Sequence, residues 1–244
     1  MDERLIRFEQ RLLARNDAQA AELRRRFLQA GTLAVNVVSS PGAGKTTLLE
    51  ATVRALGGGS RIGIIVGDLA TDNDARRLAH AGGRARQITT GTTCHLEAAM
   101  LQTALDGWNL EEFEYLFIEN VGNLVCPAAF DLGEAARVVL FAVTEGEDKP
   151  EKYPPLVHQA DLILLTKWDL APLLTFDQER FTESVRRVNP QVAILTVSAR
   201  TGVGLEAWLD WLRNQRALLS TQWEAKKGAD RVSRNSGAGH RPGC

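Results

Sequence analysis

The apolar run Leu33–Val38 passes straight into Ser39-Ser40-Pro41-Gly42-Ala43-Gly44-Lys45-Thr46-Thr47, and the helical pattern Thr46–Leu56 begins before that loop has ended. Few features constrain a chain more, because a strand, a glycine-rich loop and a helix must follow one another without a spacer. Gly42 and Gly44 free the backbone to turn its N–H groups inward, and the helix start adds the positive end of its dipole. What such a cradle fits is the phosphate chain of a nucleotide, with Lys45 reaching the terminal phosphates and the Thr46 hydroxyl ligating Mg2+. Gly42, Ala43, Gly44, Lys45, Thr46 and Thr47 form the expected phosphate-binding set. The common pattern opens with glycine where this chain has Ser39. An ordinary strand-to-helix turn with an exposed lysine is the competing possibility, and it leaves the placement of both flanking elements unexplained.

Beyond Gly31, short apolar runs alternate with helical stretches. Ile62–Val66, Tyr115–Ile118, Val138–Val143, Leu162–Leu165 and Val192–Val197 join Leu33–Val38 as expected strands. Their near-continuous apolar character suits parallel strands covered on both faces. Asp74–Ala81, His95–Leu105, Phe176–Val188 and Leu205–Leu219 carry helical periodicity between or after them. The expected fold class is α/β: a doubly wound, mostly parallel sheet of the phosphate-loop NTPase type, with an N-terminal helical extension.

That extension covers residues 1–30, where Leu5, Phe8, Leu12, Leu23 and Phe27 recur at helical separations and Asn16-Asp17 marks a weak point at which the helix could break. Arg24-Arg25-Arg26 would fan around such a helix and reads as a solvated face. The nucleotide domain is expected over 31–220. Residues 221–244 hold almost no large apolar side chain after Trp223 and read as a disordered tail, whose His240 and Cys244 read as idle.

The whole chain, at 244 residues, suits one large domain. A formal charge of −1 argues against a nucleic-acid or membrane-surface partner, and no uncharged apolar run has the length of a membrane span. Three cysteines cannot all pair, and Met1-Asp2-Glu3-Arg4 lacks a secretory apolar core, so the cytoplasm is the expected location.

Two strands end in carboxylates. Tyr115-Leu116-Phe117-Ile118-Glu119 places a charge at the tip of a buried strand, which needs a cation to meet it, and Ile64-Ile65-Val66-Gly67-Asp68 ends in the same way. Glu119 and Asp68 are thus candidates for the Mg2+ shell or for positioning an attacking water, with helix or turn capping as the plainer alternative, stronger for Asp68. Gly122 would let the backbone approach a γ-phosphate. Thr166-Lys167-Trp168-Asp169 follows a late strand. Asp169 there can accept from guanine N1–H and its 2-amino group, while the Lys167 stem covers the ring. Ser198-Ala199-Arg200 resembles the Ser-Ala-Lys guanine loop of GTPases with one substitution, and the pair favours guanine over adenine.

Thr93-Cys94-His95 and Asn123-Leu124-Val125-Cys126-Pro127 leave the same edge of the sheet as the phosphate loop, so Cys94, His95 and Cys126 can converge. Two thiols and an imidazole suit Zn2+ or Ni2+ and leave a coordination position open. Buried cysteines beside a capping histidine are the alternative.

Together these segments, with Leu12-Leu13-Ala14-Arg15-Asn16, Glu119-Asn120-Val121-Gly122 and Glu145-Gly146-Glu147-Asp148-Lys149-Pro150, resemble the nickel-insertion GTPases of NiFe-hydrogenase maturation, the HypB family. The resemblance implies Mg2+-dependent hydrolysis of GTP to GDP, a nucleotide- or metal-dependent homodimer, and a Ni2+ or Zn2+ site at the dimer face built from Cys94, His95 and Cys126. It further implies two partners, a zinc-binding maturation chaperone and the hydrogenase large-subunit precursor. The cysteine-rich nickel motif and histidine-rich store of some members are missing from this sequence, and Thr166 replaces the family asparagine. Competing readings are a related nickel GTPase for urease, a cobalamin-linked GTPase, and a metal-binding scaffold with a structural nucleotide site.

Overall fold

The structure, a computed structural model, describes residues 3–59 and 61–236. Its strands are β1 Leu33–Ser39, β2 Ile62–Asp68, β3 Arg84–Thr89, β4 Tyr115–Glu119, β5 Ala136–Ala142, β6 Leu162–Thr166 and β7 Ala193–Thr196. They form one sheet in the order β3-β2-β4-β1-β5-β6-β7, with every pairing parallel. The α-helices are α1 Glu3–Ala30, α2 Lys45–Ala55, α3 Asn73–His80, α4 Ala98–Ala104, α5 Lys149–Lys152, α6 Pro154–His158, α7 Gln178–Val188 and α8 Leu205–Ser236.

Alternation along the central strand explains the layers. In β1, Leu33, Val35 and Val37 face the α2, α3 and α8 side with Leu48, Leu78 and Trp208. Ala34 faces the other side, where Leu23 and Phe27 of α1 meet Leu101 of α4. A third apolar cluster joins β5 and β6 to α6 and α7 through Phe141, Leu156 and Phe181. A strand buried on both faces has no polar side, which is why β1 is apolar but for Asn36 and Ser39, both buried. The neighbours β1 and β4 send the chain on in opposite directions across the sheet, β1 to β2 and β4 to β5. Crevices open beyond the carboxyl ends of strands at such a point.

Several expectations need correction. α1 runs unbroken through Asn16-Asp17, because Asn16 is buried and both polar ends of its side chain are hydrogen-bonded elsewhere in the fold. β3 escaped the apolar-run criterion: Arg84-Ala85-Arg86-Gln87-Ile88-Thr89 is an edge strand, half-exposed along its length. α4 begins at Ala98, so His95 stands in the loop before the helix. β5 starts at Ala136, and β7 is confined to Ala193–Thr196. α8 continues past Leu219 to Ser236, so most of the stretch read as a disordered tail has a helical backbone. Lack of apolar side chains removes a reason to pack, yet Glu, Ala, Lys and Arg favour the helix locally. Residues 237–244, with His240 and Cys244, lie outside the described residues. Of the arginine triplet, Arg24 pairs with Asp131 and Arg25 with Glu22. Among the described residues no helix is long and apolar enough to cross a membrane.

Candidate functional site

β1 delivers the chain to its glycine-rich loop and α2 takes it away at Lys45, with Gly42 and Gly44 at φ 77° and 98°. Side chains resist that left-handed region, so glycine at these points lets the loop wrap. Lys45 is only 8% exposed, and its Nζ donates to Ser39 Oγ at 3.0 Å. The serine that departs from the common pattern thus holds the lysine. Burial pushes the Lys45 ammonium pKa down, against the charges of Glu119, Asp74, Glu145 and Asp68. Ser40 Oγ donates to Glu145 Oε1, and Glu145 Oε2 accepts from the Ala142 N–H at 2.7 Å, which ties the loop to the end of β5.

Thr46 Oγ1 donates to Glu119 Oε1 at 2.6 Å. Glu119 is 3% exposed at the tip of β4, and its Oε2 has no hydrogen-bond partner. Burial pushes its carboxyl up to about 7, although the Thr46 hydrogen bond and the Lys45 charge both pull it down. A hydroxyl and a half-satisfied carboxylate side by side are hard oxygen donors that a small divalent cation fits. Asp68 lines the same cavity of about 460 Å³, but its Oδ1 already accepts from the N–H groups of Ala70 and Thr71. The capping role weighed for it is therefore occupied. Gly122 packs on the phosphate loop: a Cβ there would stand 3.0 Å from Pro41 Cα. Asp74 and Arg77 of α3 also line the cavity. No sequence spacing marked them, because α3 lies beside the loop only through the sheet order.

A second cavity of about 270 Å³ adjoins the first, sharing Gly44, Thr47 and Lys167, and is lined further by Ala43, Asp169 and Ala199. Lys167 has φ 55°, and Asp169 Oδ1 accepts from Ser198 Oγ at 2.7 Å. One carboxylate oxygen is thus fixed by the second base loop. Thr166 Oγ1 donates to the Ala43 carbonyl at 2.7 Å, so this hydroxyl bonds directly to the phosphate loop.

Cys94, His95 and Cys126 converge, their ligating atoms within 4.8 Å of one another, and they are the one such group of three found among the described residues. The His95 ring stacks on Phe130 with centroids 3.8 Å apart. Its Nε2 has no hydrogen-bond partner, and Glu97 Oε1 stands 3.6 Å away. Burial holds the His95 pKa below its ordinary value, with Glu97 opposing, so the neutral, ligating form is favoured. The hydrogen bond of the Cys126 thiol to Cys94, followed by burial, pushes that thiol up. Two free thiols and an imidazole with an unused nitrogen are a donor set for a borderline or soft ion.

The two sites meet at β4. Asn120, next to Glu119, accepts the Leu96 N–H on Oδ1 at 3.2 Å and donates from Nδ2 to Asn36 Oδ1 at 3.3 Å. Asn123 donates to the Cys94 carbonyl at 3.3 Å. Sequence reading passed over Asn16, Asn120, Asn123 and Phe130 as positioning residues, since their partners are distant in the chain.

Residues 33–196 match the family model described as "CobW/HypB/UreG, nucleotide-binding domain". The chain is 52% identical over 213 residues to the hydrogenase maturation factor HypB of Azotobacter vinelandii, covering 87% of this chain and 70% of that protein. It is 38% identical to the Helicobacter pylori protein named hydrogenase/urease maturation factor HypB, covering 86% of this chain and 88% of that one. The crystal structure of HypB from Helicobacter pylori in complex with nickel superposes with a TM-score of 0.79 at 39% identity, over 83% of this chain and 95% of that chain.

Proposed function

The chain belongs to the CobW/HypB/UreG nucleotide-binding family, as one of its HypB hydrogenase maturation factors, and from that premise we propose that it is a GTP-hydrolysing metallochaperone. It helps insert nickel into the NiFe-hydrogenase large-subunit precursor. One observation carries the reading: Glu119 in the phosphate cavity and Asn120, which anchors the Cys94-His95 loop, are consecutive residues at the end of one strand.

In this reading the inward N–H groups of the loop and the Lys45 ammonium meet the β- and γ-phosphates and neutralise charge as the terminal phosphoryl group transfers. Bound Mg2+, held by Thr46 with Glu119 and Asp68 on its side, supplies further neutralisation. Asp169 reads guanine N1–H and the 2-amino group, while Ser198 and Ala199 close the base pocket and Lys167 covers the ring. Thr166 keeps that pocket in register with the phosphate loop. Loss of the γ-phosphate releases the Gly122–Pro41 face, and the shift reaches Leu96 through Asn120. Nickel is the cargo of Cys94, His95 and Cys126, and Zn2+ competes for the same donors. Both must displace protons, so affinity falls in acid. The working form is a cytoplasmic homodimer, nucleotide- or metal-dependent, that meets a zinc-binding maturation chaperone and needs neither nucleic acid nor membrane. A second reading, nickel supply to urease as well, is favoured by the name of the Helicobacter relative.

Purified protein with Mg2+ should release phosphate from GTP, and Lys45→Ala should lower turnover by about a thousandfold. Equal turnover in parent and variant would leave a metal-binding scaffold as the better reading. Nickel-loaded protein presented to hydrogenase precursor and, in parallel, to urease apoprotein separates the two cargo destinations.

A further inference from the structure

We propose that Asn16 of α1 is a positioning residue for the thiol–imidazole cluster, one carboxamide setting the Cys94-His95 loop and the Cys126 loop in their mutual register. The inference rests on the metal reading above and extends it to the N-terminal helix.

Asn16 is 4% exposed. Its Oδ1 accepts the Ala98 N–H at 2.9 Å, and its Nδ2 donates to the Asp131 carbonyl at 2.8 Å. Only one orientation of the amide satisfies a donor and an acceptor together, so the two contacts fix each other. Ala98 opens α4, and the capping residue of that helix, Glu97, makes no side-chain cap. A residue 82 positions away therefore caps the helix that follows the Cys94-His95 loop. Asp131 follows the short turn Cys126–Ala129 and Phe130, whose ring stacks on His95. The two partners of this amide thus flank the two halves of the cluster.

Mere anchoring of α1 does not account for it. Ala20, Leu23 and Phe27 already bury the helix, and Arg24 grips the Asp131 carboxylate at 2.6 and 2.7 Å. Asn120 holds Leu96, and Asn123 holds the Cys94 carbonyl, both from the chain after β4. What Asn16 supplies is a tie from both loops to α1. Partners that orient ligating groups change metal affinity by about 10–100-fold when lost.

The test compares the full chain with Asn16→Leu, which keeps the side-chain shape. Ni2+ affinity is read by competition with a chromophoric chelator, and the thiolate-to-nickel absorption is recorded alongside it. GDP affinity and amide hydrogen exchange over 94–98 and 126–131 are measured without metal. The expected result is Ni2+ binding weaker by about 10–100-fold, a changed absorption band, faster exchange in both segments, and GDP affinity as in the parent. Arg24→Gln, which cuts the other tie to Asp131, should change Ni2+ affinity by no more than about twofold. Parental affinity and parental exchange in Asn16→Leu overturn the proposal. Ni2+ binding that survives Cys94→Ser with Cys126→Ser overturns the metal reading instead, and the exchange data still decide the role of Asn16. Should Asn16→Leu not fold, Asn16→Asp keeps the acceptor for Ala98 and loses the donor for Asp131. Faster exchange confined to 126–131 then supports the proposal, and unchanged exchange overturns it.

Discussion

The phosphate cavity and the thiol–imidazole cluster stand at the same edge of the sheet but are built in different ways. Lys45, Thr46 and Glu119 sit on regular elements, at 8%, 9% and 3% exposure, and bond to Ser39 and to each other. Cys94, His95 and Cys126 sit on loops and are half-buried, held mainly by asparagine side chains reaching in from α1 and the chain after β4. A site on packed elements keeps its shape whatever occupies it, whereas one tied by single hydrogen bonds responds when a neighbour moves. The division suits a molecule in which nucleotide chemistry drives and metal grip follows.

The contrast is tested most severely by removing the soft donors. Cys94→Ser with Cys126→Ser should lower Ni2+ affinity by on the order of a thousandfold or more, beyond the loss of an outer partner, and leave GDP affinity unchanged. Calorimetric titration of both ligands checks it. A parallel fall in GDP affinity would mean that the sites are one rigid unit and not a driver and a follower.

The next effect concerns the cost of the buried carboxylate. Because the folded Glu119 pKa of about 7 lies above its ordinary 4.5, its neutral form favours folding. That contribution is present in full below about pH 4.5 and is lost as pH rises through 7. Glu119→Gln should therefore stabilise nucleotide-free protein by about 3 kcal/mol at pH 8 and change little at pH 4, even as it impairs hydrolysis. Urea unfolding at both pH values reads the difference directly. Equal stabilisation at both would show that packing, and not ionisation, sets the cost.

The smallest effect sharpens the boundary between base pocket and phosphate loop. Thr166→Val deletes the hydroxyl that donates to Ala43 and retains the shape. GTP affinity should fall about fivefold, equivalent to one ordinary hydrogen bond of about 1 kcal/mol. Preference for GTP over ATP should fall with it, as measured by competitive binding. Thr166→Ser, which keeps the hydroxyl, should leave both values as in the parent.

Legibility followed sequence distance. The Ser39–Thr47 loop could be read because its strand, turn and helix are contiguous, so chemistry and geometry share one short segment. Glu119 stood out because a charge at the tip of a buried strand is costly unless a cation or a hydrogen bond meets it. β3 could not, since an edge strand needs no apolar alternation on its open side. The capture of Asp68 Oδ1 by Ala70 and Thr71 depends on how the chain turns after β2. Asn16 looked like a place for α1 to break, because an asparagine amide competes for the neighbouring backbone hydrogen bonds unless distant partners take it up.

Taken alone, the chain of residues determined the strand–loop–helix cradle, the parallel sheet and the donor types in each site, since these follow from backbone freedom, apolar period and side-chain chemistry over short stretches. Tertiary structure alone decided that Asn16 spans Ala98 and Asp131, that Phe130 covers His95 and that Thr166 reaches Ala43. Each of those contacts joins segments far apart in the chain. Which buried polar groups find partners there depends on how the sheet orders its strands, a global property that no local pattern encodes.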